Sequence, residues 1–287
     1  MSWEYEGLFE EIPKENSLLG SWWRDEQTAI RVGSMGYRTR TTRAGARLDA
    51  EIYPIFGREM EKKAKRARGN LTPERQQKVN ERRSRQYFVQ LVEANFGEGD
   101  IHLTLTYREA PKYDRAKKDI RNFLLKVKRL REKRGLEELK YAGTIEENEE
   151  GRKVRIHAHI LMNGGIDREE LEAIWEKGLT NVFGLQPDER GLEGIARYVT
   201  KQQKNQKKWF RSRNLKKPER RTSDTKVSTR RVKRISLSFG ADAKEILEKV
   251  YPGYRFVQCT VHYSDVVDGV YIRCEMRKIG GQALWTT

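Results

Sequence analysis

The chain has 287 residues, of which 36% are hydrophobic and 35% charged, and its formal net charge is +17. That allows a lean core in one large domain or two small ones, and no apolar run approaches the ~20 residues needed to span a bilayer. A positive surplus of this size repels itself in the folded state and suits a polyanionic partner, nucleic acid above all. A merely solubilising surface usually mixes both signs.

Residues 1–70 read as an N-terminal extension without regular structure and of unassigned role. They carry Trp3, Trp22 and Trp23, which pack on the rest of the chain or stack on bases, then a basic stretch from Arg38 to Arg47. The first eleven residues are acidic and aromatic, not basic and then apolar as in a signal peptide. The expected location is therefore the cytoplasm of a bacterial or equivalent host. Glu59 to Arg68 is a short charged helix. Thr72-Pro73-Glu74 reads as a helix start, with Thr72 as the cap and Pro73 in the first helical position; the helix runs to about Asn95.

Gly97 and Gly99 break the chain before a strand from Ile101 to Tyr107, where apolar residues alternate with His and Thr. Residues 114–134 carry Ile120, Phe123, Leu124, Val127 and Leu130 at the spacing of one helix face. Tyr141–Glu146 and Val154–Met162 then form an antiparallel hairpin across a polar turn. A helix capped by Asp167 runs to Trp175, a short strand covers 180–183, and a helix covers Glu189 to Gln203. Residues 201–234 hold fifteen Lys or Arg against Glu219 and Asp224. Such a run is a solvated, mobile stretch or an electrostatic arm for a phosphate backbone. A helix near 241–250 and strands at 255–262 and 269–276 follow. Cys259 and Cys274 lack disulfide-framework and metal-site spacing and read as buried free thiols.

Four histidines occur in the chain, and two lie in Ile156-His157-Ala158-His159-Ile160. Residues two apart on a strand share a face, so both rings project side by side and can offer nitrogens to one divalent ion. Across the hairpin, one of Glu146 and Glu147 can supply a carboxylate. Two imidazoles and a carboxylate leave coordination positions open for a phosphate. Farther on, Tyr198 and Lys201 are three apart on a helix and share a face. A tyrosine hydroxyl can attack phosphorus and form a phosphotyrosine. Taken singly, each of these features also fits a solvated sheet face or a half-buried tyrosine.

Their order resembles that of the HUH endonucleases, in particular the rolling-circle replication initiators of phages and plasmids. Leu103-Thr104-Leu105-Thr106-Tyr107 looks like the Thr-rich first motif, and His157-Ala158-His159 is similar to the His-hydrophobic-His motif. Glu146 sits where related initiators place an acidic ligand. Tyr198 and Lys201 match the Tyr-x-x-Lys motif. Gly194 occupies the position of a second tyrosine in many phage relatives, so the resemblance is to single-tyrosine enzymes. Ser212 to Pro218 looks like a segment that follows the catalytic helix. The resemblance spans roughly residues 75–275.

What the resemblance implies is an α+β nuclease domain over 71–280, with a central antiparallel sheet carrying the His-x-His strand and helices packed on it. The domain includes the basic segment 201–234 and a C-terminal helix-strand-strand part. It implies Mg²⁺ or Mn²⁺ on His157, His159 and Glu146, with Tyr198 cutting one strand of single-stranded DNA at an origin hairpin. Lys201 assists by charge. Lys204, Lys207, Lys208, Arg211, Arg213, Lys216 and Lys217 are the expected DNA contacts. No Gly-x-x-x-x-Gly-Lys-Ser/Thr sequence is present, so a host helicase is an expected partner alongside a host polymerase. A mobilisation relaxase or single-strand transposase would share this chemistry. A non-catalytic nucleic-acid-binding protein would share only the charge.

Overall fold

A computed structural model describes residues 6–11, 36–146, 156–201, 209–264 and 267–280. In chain order the elements are β1 (Glu10–Glu11), β2 (Tyr37–Ala44), β3 (Arg47–Pro54), α1 (Arg58–Gly69), α2 (Pro73–Asn95) and β4 (Ile101–Thr106). Next come α3 (Tyr113–Lys133), β5 (Tyr141–Glu146), β6 (His157–Met162), α4 (Arg168–Trp175), β7 (Thr180–Gly184) and α5 (Glu193–Val199). Last are β8 (Phe210–Arg211), β9 (Glu219–Ser223), α6 (Thr229–Leu237), α7 (Ala243–Val250), β10 (Tyr254–Tyr263) and β11 (Tyr271–Lys278). The fold class is α+β, with antiparallel pairing in both of its sheets. No helix among the described residues is long and apolar enough to cross a membrane.

The chain divides into two compact units, one made of Met1–Ser84 with Pro218–Thr287, the other of Arg85–Lys217. This differs from the boundary near residue 70 drawn from composition, because the first unit is assembled from both ends of the chain.

In the first unit a six-stranded sheet runs β1-β10-β11-β3-β2-β9. One of its faces carries Leu48, Ala50, Ile52, Ile272 and Met276. Helices α6 and α7 cover that face through Val232, Ile235, Ile246 and Leu247. Residues 37–54, expected to be irregular, form the β2–β3 hairpin of this sheet. Gly45 opens its two-residue turn at φ 57, the left-handed position a Gly-x hairpin turn requires. The hairpin hides from a hydrophobicity reading because Arg and Thr alternate along β2 in place of polar and apolar residues. Its β-branched Thr39 and Thr41 are buried nonetheless. Arg47, almost wholly buried, bonds Asp49 and Glu275 at 2.9 Å each. Removing one partner of such a buried pair costs about 3–5 kcal/mol. Cys259 and Cys274 are free thiols, as expected, and stand opposite each other on β10 and β11 with sulfurs 3.1 Å apart.

Residues 201–234 are not one mobile arm. Their described part contains β8, β9 and most of α6. Helix α6 escapes a periodicity reading because only Val232, Ile235 and Ser236 of its nine residues are buried. Trp3, Trp22, Trp23, Glu147, Lys204, Lys207 and Lys208 lie outside the described residues.

The second unit holds a five-stranded sheet ordered β7-β4-β6-β5-β8, with the His-x-His strand at its centre. On one face Leu103, Leu105, Ala158, Ile160 and Met162 pack against Ile120, Phe123 and Val127 of α3 and Leu171 and Trp175 of α4. On the other, Leu161 and Ala142 pack against Phe88, Val89 and Val92 of α2 and Ala196 and Val199 of α5. Helix α2 starts as expected, with the Arg75 amide donating to the Thr72 hydroxyl at 3.3 Å.

Candidate metal and nucleophile site

Strand pairing assembles the site. In β6 the odd-numbered residues His157 and His159 face one way, while Ala158 and Ile160 enter the α3–α4 core. On β5, Glu146 lies opposite His157 and Thr144 opposite His159. On β4, Thr106 lies opposite His157 and Thr104 opposite His159. Residues directly opposite on antiparallel strands share a face. One face of three adjacent strands thus carries two imidazoles, a carboxylate and three hydroxyls.

The Glu146 carboxylate approaches His157 Nε2 at 3.1 Å and His159 Nε2 at 4.0 Å. The two Nε2 atoms are 3.1 Å apart. One ligand atom from each residue lies within 4.8 Å of the others. Two ligands at right angles on an octahedral ion, each about 2.1 Å away, stand ~3.0 Å apart. The three side chains therefore fit a single divalent ion. Burial, reinforced by the charge of His157, pushes the His159 pKa down to about 4. The neutral ring that results at neutral pH is the form that binds metal. Glu146 faces the histidines as expected.

Helix α5 brings the tyrosine to the same face. The Thr144 hydroxyl donates to the Val199 carbonyl at 2.9 Å and ties the end of α5 to β5. Tyr198, 53% exposed, has its ring 5.2 Å from that of His159. Tyr107 belongs instead to the core, with its hydroxyl donating to the Ala116 carbonyl at 3.3 Å. The helix is shorter than the expected 189–203. A turn closed between Asp188 and Gly191 precedes it, and Thr200 ends it by turning its hydroxyl back to the Ala196 carbonyl. Lys201 consequently lies just past the helix, exposed, with its amide donating to the Tyr198 carbonyl at 3.1 Å.

Residues 100–203 match the family model of the replication-associated protein ORF2. The matched stretch runs from β4 through α5 and contains Glu146, His157, His159, Tyr198 and Lys201. It supports a replication initiator and leaves most of the first unit unmatched. No curated protein and no solved structure matches the chain.

Beyond the replication-associated stretch, residues 209–217 are tied to the second unit. The Ser212 amide donates to the Tyr141 carbonyl at 2.9 Å, and the Asn95 side chain bonds both the amide and the carbonyl of Lys216. Trp209 packs edge-on to Phe88. Arg213, Lys216 and Lys217 are exposed on this fixed segment and Arg211 is half-buried.

Two site residues, His102 and Thr104, carry no motif in the sequence. His159 Nδ1 lies 3.1 Å from the Thr104 hydroxyl and 3.1 Å from His102 Nε2. The available signal was period two along β4, which lines up His102, Thr104 and Thr106, but choosing a face required the pairing with β6. Gly143 is a third constraint. A Cβ there would stand 2.3 Å from the His159 carbonyl oxygen. Gly143→Ala is expected to displace β6 at His159 and to cost about 1–3 kcal/mol in chemical denaturation, the range of core overpacking. A denaturation midpoint equal to that of the unsubstituted protein would contradict this.

Proposed function

We propose that this chain initiates rolling-circle replication by nicking and rejoining single-stranded DNA through Tyr198 at a metal site of Glu146, His157 and His159. The observation that carries the reading is the convergence of the three ligand groups, with the Tyr198 ring beside His159. The replication-associated match over the same residues supports it.

A bound Mg²⁺ or Mn²⁺ supplies positive charge that polarises a non-bridging oxygen of the scissile phosphate. Tyr198 supplies the nucleophile. Its hydroxyl oxygen forms a bond to phosphorus as the bond from phosphorus to the 3′ oxygen breaks. The phenol loses its proton and the leaving 3′ oxygen gains one, so the products are a 5′-phosphotyrosine and a free 3′-hydroxyl. The phosphodiester energy is retained, and the reverse reaction rejoins the strand. Lys201, just beyond the end of α5, stabilises the phosphate by charge. The free 3′ end serves a host polymerase, with a host helicase opening the duplex.

The test uses the full chain, a single-stranded oligonucleotide panel covering origin hairpins, and Mn²⁺. A covalent protein–DNA adduct, mapped by peptide mass spectrometry to Tyr198, supports the reading. Tight binding with no adduct under any divalent metal replaces it with a non-catalytic binding protein.

Arg211, Arg213, Lys216 and Lys217 are proposed to hold the DNA backbone. Each phosphate contact to a single strand contributes about 0.7 to the slope of log K against log salt. Changing Arg213, Lys216 and Lys217 to Gln is expected to flatten that slope by up to ~2 in a fluorescence-anisotropy titration. An unchanged slope would remove the three residues from the interface.

A further inference from the structure

We propose that His102 is a positioning residue of the metal site, holding the His159 ring in the tautomer and orientation that a metal requires. The inference rests on the metal reading above. Of the two nitrogens of His159, Nε2 is the one beside His157 Nε2 and Glu146. For Nε2 to offer its lone pair to an ion, the ring proton must sit on Nδ1. That proton then needs an acceptor, because His159 is 3% exposed and water is scarce there.

His102 Nε2 is 3.1 Å from Nδ1, in a side chain that is itself buried. The two rings stack, with centroids 5.2 Å apart and planes 29° from parallel. Thr104 Oγ1 is also 3.1 Å from the same nitrogen. A threonine hydroxyl can donate or accept, so alone it allows either tautomer. Neutral His102, protonated on its far nitrogen, presents a lone pair and selects the Nδ1–H form. Partners of this kind, bonded to the outer nitrogen of a ligating histidine, typically change metal affinity by about 10–100-fold. The edge of His102 also meets the Tyr198 ring, with centroids 6.3 Å apart. One side chain therefore touches both the proposed ligand and the proposed nucleophile.

The experiment measures Mn²⁺ affinity of the full chain by isothermal titration calorimetry and by Mn²⁺ electron paramagnetic resonance, beside thermal melting. His102→Leu fills similar space without an acceptor and is expected to weaken Mn²⁺ binding by about 10–100-fold. His102→Gln restores a carbonyl acceptor and is expected to recover most of that loss. Wild-type affinity in His102→Leu would overturn the proposal. So would equal losses in both variants that track a fall in melting temperature, because that pattern denotes packing. Absence of Mn²⁺ binding in the folded unsubstituted protein would overturn the metal reading and this inference together. Wild-type binding that is lost in Glu146→Gln but kept in His102→Leu would overturn this inference alone.

Discussion

Tyr198→Phe is expected to abolish the covalent adduct while leaving folding, Mn²⁺ affinity and oligonucleotide binding intact. The substitution removes one oxygen from a ring that is 53% exposed, and a surface change of this kind shifts stability by no more than about 0.5 kcal/mol. The ring remains to pack beside His159. Only the nucleophile is lost. Tyr107 cannot replace it, because that side chain is in the core, bonded to the Ala116 carbonyl. Deleting the nucleophile of a covalent mechanism lowers the rate by about 10⁴-fold or more. Denaturing gel electrophoresis of the oligonucleotide reaction reads the result. An adduct formed at the normal rate by Tyr198→Phe would reject Tyr198 as the nucleophile.

His157→Ala and Glu146→Gln are expected to produce the second-largest effect. Each removes one of three ligand groups, and each should reduce strand cleavage at fixed Mn²⁺ by about 10³-fold, equivalent to ~4 kcal/mol. His157 and Glu146 are better choices than His159. Their side chains are 16% and 11% exposed, against 4% for His159. Loss of folding therefore complicates their interpretation less. Part of the loss in His157→Ala should return at high Mn²⁺, as expected when affinity has been damaged. Chelation with EDTA should stop cleavage by the unsubstituted protein. Cleavage that survives both chelation and ligand removal would mean that the phosphate is activated without a metal.

The contrast between the two units is one of pattern. In the second unit the folding signals are local and apolar. Ile120, Phe123, Leu124 and Val127 mark the buried face of α3. Leu103 and Leu105 mark the buried side of β4, and the short spacing of β5 and β6 marks their pairing. In the first unit the signals are polar and distant. Arg47 is neutralised by Glu275, 228 positions away. Arg40 is neutralised by Glu51, and the carboxylate of Glu6 gathers Arg82, Arg83 and Arg273. A charged residue that is buried by pairing looks in sequence like one in solvent. That is why the hairpin at 37–54 reads as irregular and the basic stretch beyond Lys201 reads as a free arm.

His157 and His159 were bound to share a face once Ile156 to Ile160 formed a strand, because strand side chains alternate. Glu146 against His157 followed from the hairpin, and the position of Tyr198 three residues before Lys201 was explicit in the chain. The sequence by itself therefore determined which groups carry the proposed chemistry. Tertiary structure alone decided that His102 and Thr104 converge on His159 Nδ1, since that depends on the register of β4 against β6, with Thr104 and His159 55 positions apart. It alone decided that Tyr198 lies beside the histidines, through the bond from Thr144 to Val199. It also decided that the two ends of the chain build one sheet. These are long-range pairings, and their energy comes from burying polar partners together, which no local periodicity records.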